Sequence, residues 1–556
     1  MRGMETNHTL ILVDGRRVSD TNTNVPFSDY QFSWVPVQMI DRIEVIRGPM
    51  SNLYGSAALG GVINVITKKA GDRWQTSVTA EGRNTSSGEG GDQRALVVTG
   101  AGPLSDSVDL AVSVERRDED AYRKRFADGN STASDEGKEI TNLTADLGIY
   151  LSEDSHLNLS VISGDEDRQT FPDTQYYEIE RYQAAVDFDT RIGNFDVKTR
   201  AYRSNSENYF VSSRYFHNLT EDVLSVDLSG ELSETHLLTA GIEYAVEEYE
   251  KDYETSDSKD FRDEFKAWSL FAQDAIALRD DVTLTLGGRY DDHQRFGTEF
   301  SPKAYINWDL NENWQIKGGY GEGFKAPAVR EASNAYTFSY GYPTGPGMFR
   351  NNTFLGNSNL KPETNRSVEL GANFYQGGFT AAVTVFRNKV DNLIEAQQIS
   401  KTTTGGNTSV VSKYQNVENA LINGVEAELA YDFENGVEVS FNHTFLDHED
   451  EDTGLWLTNR SRHESTLTLT HYASSLDLTS QVEVQYSGKQ YEDAANQDES
   501  PATTKVDLTL RKTFGDHLTA RVGVYNLFDD LAAEDDNDGS HSEVGRQFGL
   551  SLTGNF

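Results

Sequence analysis

Between residues 332 and 357 the chain gathers side chains suited to holding a flat, negatively charged ligand. Tyr336, Phe338, Tyr340, Tyr342 and Phe349 offer stacking faces, and Arg350 adds a planar cation. Aromatic faces attract other rings, and a guanidinium both stacks and pairs with anionic oxygens. Glycines and prolines in the same stretch suit a surface loop. A second reading is open: alternating aromatics also form the interface girdles of membrane barrels. Other chemistry is poorly represented. With 0 cysteines in 556 residues, thiolate metal sites, cysteine nucleophiles and disulfides are excluded. There is no GK[ST] phosphate loop and no HExxH. Carboxylates are so numerous that a paired set marks nothing. No catalytic residue, resident metal or cofactor is expected, and the chain does not read as an enzyme.

The elements that must carry this loop are strands. After about residue 75 a period of two dominates: Val108, Leu110, Val112 and Val114; Leu143, Ala145, Leu147 and Ile149; Val282, Leu284 and Leu286; Val506, Leu508 and Leu510. The other parity is rich in Thr, Ser, Asp, Glu and Arg, so each strand has one apolar face and one that meets water. The last residues, RQFGLSLTGNF, alternate in the same way and stop on Phe556. Long hydrophilic stretches (118–141, 247–266, 332–357, 529–545) interleave with short turns such as 311–313 and 377–378, the habit of outer-membrane barrels. At roughly 20 to 22 residues per strand and connection, residues 75–556 hold about 22 to 24 strands. So wide a barrel cannot fill its own lumen and must be a channel or be plugged. Residues 1–70 break the pattern. They read as short pieces (Leu10–Asp14 and Ile43–Ile46 as strands, Val37–Ile40 opening a short helix, then Val62–Thr67) with dense glycines, a plug too small to be comfortable alone.

Composition fits this all-β reading. Lys+Arg number 49 against 89 Asp+Glu, a net charge of −40, which disfavours nucleic acid as a partner. Apolar content is 37% and no run approaches 18 apolar residues, so a helical membrane protein is excluded. A barrel needs apolar residues only at alternate positions of short strands, and hydropathy averages them away. Residues 1–20 show no signal peptide, as a mature or truncated chain also would not.

Several segments together resemble the TonB-dependent outer-membrane receptors. In the plug they are ILVDGRRV (11–18) and IDRIEVIRGPMSNLYGSAALGGVINVITKK (40–69). In the barrel they are GGRYDDHQRFGTEFSPKAYINW (287–308), GYGEGFKAP (319–327), NSNLKPETNRSVELG (357–371), NGVEAELAY (423–431), YNLFD (525–529) and the terminal Phe556. Within that family the chain is most similar to catecholate-siderophore receptors related to the colicin I receptor. The resemblance implies a 22-stranded antiparallel transmembrane barrel (71–556) occluded by an N-terminal plug (1–70), in the outer membrane of a Gram-negative cell. It implies a ferric siderophore, catecholate favoured, as ligand, and the TonB energy-transducing complex as partner if a TonB box lies upstream. Membrane lipid and lipopolysaccharide surround such a barrel, and colicins or phage could use its loops. One departure is plain. Family members carry a TonB box and about half a plug ahead of the LVDG strand, where this chain has some nine residues. It reads as lacking its signal peptide, TonB box and early plug.

The resemblance assigns roles as well. Arg42, Glu44 and Arg47 would pair with charges on the inner barrel wall, holding the plug yet letting it shift; otherwise they belong to a solvated turn. Ferric catecholates are planar, aromatic and anionic, matching Tyr336, Phe338, Tyr340, Tyr342, Phe349 and Arg350. Haem receptors of the family place a histidine between the two boxes, and residues 328–356 contain none. His217, His443, His448, His463 and His471 are expected at the surface or in the lumen. Cobalamin stays open, since Asp535, Asp536 and Asp538 could collect Ca²⁺, although a solvated acidic loop is the plainer reading. A truncated barrel without transport is the other alternative.

Overall fold

The computed structural model describes residues 1–18, 33–126, 132–171, 174–211, 214–253, 260–345, 348–532 and 540–556. The N-terminal unit is a small mixed sheet of four strands: β1 (Thr9–Val13), β2 (Arg16–Arg17), β3 (Ile40–Arg47) and β4 (Gly61–Thr67). They lie in the order β2-β1-β4-β3, with β1 and β4 parallel and β3 antiparallel to β4. Every residue of β1 is buried, because both faces of this strand are covered. Leu10 and Leu12 pack on Met50, Ala58 and Val62, while Ile11 and Val13 pack on Val18, Trp34, Met39 and the wall residues Ala111 and Ile162. The DG pair joining β1 to β2 has positive φ at both positions, 50° at Asp14 and 76° at Gly15, the backbone a two-residue hairpin requires. The expected helix near Val37 is one three-residue 3-10 turn, Val37–Met39, and a short helix α1 (Ser51–Tyr54) stands where no helix was expected.

Around this unit the chain closes an antiparallel barrel. The hairpin 337–355 stands outside the ring, since Trp314–Lys325 pairs directly with Glu363–Gln376, and 22 strands remain among the described residues. Gln75–Thr85 pairs with Gln547–Asn555, so the C-terminal strand shuts the ring. Side chains of one parity face outward along each strand; Leu370 is 57% exposed and Leu550 50%. Phe300 and Trp308 mark the edges of this belt on one strand. They are eight residues apart, about 26 Å along the strand and nearer ~20 Å once tilt is allowed for. At the end with the short turns, contacts pass from Trp314 to Phe374, Phe379, Tyr431 and Phe433, forming a continuous aromatic arc.

The hydrophilic stretches expected between strands are largely strand themselves. His236–Tyr253 and Phe261–Arg279 stay paired through Glu250↔Arg262, inside the supposed loop 247–266. Residues 118–141 contain Tyr122–Arg125 and Thr132–Asp135, and 332–357 contains Thr337–Gly345 and Met348–Leu355. The longest strands, Phe379–Thr404 and Asn407–Phe433, have 26 and 27 residues, far beyond the ~10 that cross a bilayer. Backbone ladders do not need apolar side chains, so they continue where alternation stops at the lipid border. The expected turns 311–313 and 377–378 do join consecutive wall strands.

Candidate ligand-binding site and its plug

The inner parity of the wall is polar and grips the plug through its backbone carbonyls as well as its side chains. The Arg200 guanidinium donates to the carbonyls of Gly15 at 2.7 Å and Asp14 at 3.1 Å. Arg181 and Asn142 both donate to the Ser33 carbonyl, Arg289 to Leu53, and Asn365 to Leu59. These carbonyls belong to plug turns with no ladder of their own, and the wall satisfies them. In return the buried Arg16 donates to Gln183 at 2.9 Å and Asp187 at 2.8 Å. Burial would raise the Asp14 carboxyl, but Lys69, the Thr67 backbone N–H and Arg16 together hold it below its ordinary value.

Ion pairs also lock plug to wall, Arg16 to Asp187 and Lys69 to Asp146 among them, and two networks stand out. Arg2 reaches Glu369 at 2.5 Å and Glu426 at 3.0 Å and lies 4.6 Å from the centre of the Phe386 ring. Arg47 joins it through Glu428 at 2.5 Å and Glu426 at 3.8 Å. Beside them a cavity of about 390 Å³ opens between β3 and the wall, lined in part by Lys317 and Tyr305. The second lock is buried: Glu363 accepts from Lys325 at 2.8 Å and bonds to the His8 ring at 3.1 Å. Of the three plug charges singled out in the sequence, Arg47 meets the wall. Arg42 instead pairs with Glu44 at 2.8 Å and Asp41 at 3.1 Å, all three half-exposed. Strand parity explains the split, since Arg42 and Glu44 project from the opposite face of β3 to Arg47.

At the long-loop end the aromatic stretch forms a hairpin, docked by parallel pairing of Arg350↔Thr408 through Leu355↔Lys413 onto the extension of Asn407–Phe433. Phe338, Tyr340 and Phe354 stack on one face, with centroids 5.8 to 6.5 Å apart, and Arg350 lies on the same parity, donating to Asn352. Tyr340 and Phe349 are exposed. Tyr336 is not: it is 1% exposed, packed with Tyr249, Phe261, Val329 and Ala332. The side chain of Tyr342 and the residues Asp535, Asp536 and Asp538 lie outside the described residues. Among those described, no group of three or more His, Asp or Glu could hold a metal ion. His217 and His448 are buried rather than exposed; the ring of His217 bonds to the Tyr249 hydroxyl. His443 meets Ser465, and His463 stacks on it.

Sequence reasoning passed over Arg2, Lys325, Glu363, Glu369, Glu426, Lys251 and Arg330. A usable signal existed for the carboxylates. Glu369 sits between Val368 and Leu370, and Glu426 between Val425 and Ala427, so alternation alone puts both on the lumen parity of a lipid-facing strand. For Lys251 no signal stands out, because its burial depends on the hairpin 337–355 folding over it.

Comparisons with known proteins agree with this architecture. Residues 74–527 match the family "TonB dependent receptor-like, beta-barrel", and residues 1–62 match the "TonB-dependent Receptor Plug Domain". The chain is 32% identical over 567 residues to an iron-regulated outer membrane virulence protein of Vibrio cholerae, covering 95% of this chain and 82% of that one. It is 27% identical over 645 residues to the ferric enterobactin receptor PirA of Pseudomonas aeruginosa, covering 100% and 85%. A crystal structure of a mutant of the ferric enterobactin receptor PfeA from Pseudomonas aeruginosa, in complex with enterobactin, superposes with a TM-score of 0.87 at 22% identity, over 100% of this chain and 93% of that one. With a closed 22-stranded barrel, a plug clamped in its lumen and both family descriptions matched in order, the chain belongs to the TonB-dependent receptors of the outer membrane.

Proposed function

We propose that the protein is a receptor for a ferric siderophore of the catecholate class, admitted past the plug with energy supplied through TonB. The observation that carries this is the hairpin face of Phe338, Tyr340 and Phe354 with Arg350 beside it, at the long-loop mouth of a plugged barrel. Flat ligand rings stack on such a face, and the guanidinium answers their negative charge. The exposed Tyr340 and the half-buried Arg350 receive the complex on one face of the hairpin, Phe349 is exposed on the other face beside them, and Tyr342 lies opposite Arg350 in the hairpin register. The ferric enterobactin receptors of Pseudomonas aeruginosa to which the chain is similar point the same way. Arg47, paired to the wall, belongs to the plug seat; Arg42 and Glu44 tune the free face of β3.

The test is a titration of the purified protein with the ferric tris-complex of 2,3-dihydroxybenzoate, followed by quenching of tryptophan fluorescence. Replacing Tyr340 and Arg350 together by alanine is expected to weaken binding by about 10- to 100-fold, the sum of one stacking and one charge-assisted contact. Unchanged affinity would remove this hairpin from the site.

A further inference from the structure

A cavity of about 110 Å³ lies between the plug and the wall strands Tyr215–Ser233 to Val282–His293. Its lining carries four carboxylates, Glu221, Glu243, Glu247 and Asp291, against two guanidiniums, Arg17 and Arg289. Both cations are already engaged. Arg289 donates to Glu243 at 2.7 Å, to Asp291 Oδ1 at 2.9 Å and to the Leu53 carbonyl. Arg17 donates to the carbonyls of Tyr54 and Ser56 and lies 3.9 Å from Glu221. Asp291 is 7% exposed, and its other oxygen, Oδ2, has no hydrogen-bond partner among the described residues. A buried carboxylate oxygen left without a donor is costly. Glu299 stands directly opposite Asp291 on the paired strand, where like charges repel. The rest of the lining includes the rings of Phe265 and Phe324, and Phe265 belongs to the buried cluster against which Phe338 of the hairpin packs.

We propose that this cavity binds an ammonium or guanidinium group carried on an alkyl arm of the ligand, so that the siderophore is a catecholate with basic arms. The proposal rests on the receptor reading above and narrows its ligand class. The charged end donates to Asp291 Oδ2, and its methylene stem lies along the rings of Phe265 and Phe324. Among the described residues no three of the acids are grouped to hold a metal ion, which leaves an organic cation as the fitting occupant. At about 110 Å³ the cavity is well below the ~300–1,000 Å³ of pockets that take a whole small molecule. It therefore receives an arm while the iron-bound rings stay at the hairpin. Basic arms also answer the field of the whole protein. A purely anionic complex is repelled by a net charge of −40, and ammonium groups offset that repulsion.

The test titrates the full chain with two ferric tris-complexes, those of N-(2,3-dihydroxybenzoyl)-lysine and N-(2,3-dihydroxybenzoyl)-norleucine. The second keeps the four-carbon chain and lacks the amine. Wild type is expected to bind the lysine complex at least about tenfold more tightly, the effect of one hydrogen bond to a charged group. Asp291→Asn keeps the shape, removes the charge and leaves Arg289 its pairing with Glu243. In that variant the preference falls to within about threefold, that of a neutral contact, and the norleucine complex binds as before. Equal binding of the two complexes by wild type, or a preference that Asp291→Asn leaves intact, overturns the subsite while the receptor reading stands. If Asp291→Asn binds neither complex, Glu299→Gln decides, since it lowers the negative charge opposite Asp291 without touching Arg289. A reduced preference there supports the subsite, and an unchanged one overturns it. If wild type binds neither complex, the receptor reading falls and the subsite falls with it.

Discussion

Replacing Glu369 and Glu426 together by glutamine is expected to unseat the plug without disturbing the barrel. Arg2 would keep its buried position, with a side chain 4% exposed, and lose both carboxylates. Stranding a buried charge costs about 3–5 kcal/mol, and each ~1.4 kcal/mol is tenfold in an equilibrium. The displaced population therefore rises by about two to three and a half orders of magnitude. In planar lipid bilayers the wild type is expected to stay closed and the variant to show discrete channel openings, with heat-modifiable migration on gels retained. Adding Arg2→Met should close the channel again, because it removes the stranded charge. Openings that persist with Met at this position would mean that the carboxylates act by some route other than Arg2.

The second large effect concerns the belt. Leu370→Arg places a cation on the outward face, between the border aromatics Tyr320 and Phe374. Facing lipid near mid-height, it is expected to destabilise the folded barrel by about 2–4 kcal/mol in denaturant titrations in lipid vesicles. Ile399→Arg is the matched control. Ile399 is equally a half-exposed strand residue, 50% against 57% for Leu370, but it lies on the extension beyond the bilayer. Its substitution should stay within about 0.5 kcal/mol. Equal and small effects at both positions would mean that Leu370 faces water.

The wall of the barrel was legible because its rule is local: a parity of two, repeated strand after strand, survives any uncertainty about connections. The alternation around Val108 and around Leu508 placed strands that are present, and the terminal aromatic marked the closing strand. Where strands leave the lipid the apolar parity vanishes and the signal vanishes with it. Hence residues 247–266 read as a loop although the ladder runs on through Glu250 and Arg262. The site was only partly legible, for a different reason. Arg47 could be picked out as a plug charge, but its partners Glu426 and Glu428 stand 379 and 381 positions away in the chain. Pairing over that separation is set by the register of a closed barrel, not by any local pattern. Tyr336 and Tyr340 looked alike in sequence, four residues apart in one aromatic run. The fold separates them, burying one against Lys251 and Arg330 and presenting the other at the mouth.

Competitive binding to the purified protein tests the central claim most directly. Ferric tris-2,3-dihydroxybenzoate, a ferric trihydroxamate and cyanocobalamin would each be titrated, with occupancy followed by tryptophan quenching. Saturable binding of the catecholate complex, not displaced by excess of the other two, is the predicted result. Saturable binding of the hydroxamate or of cyanocobalamin, with none of the catecholate, would contradict the account.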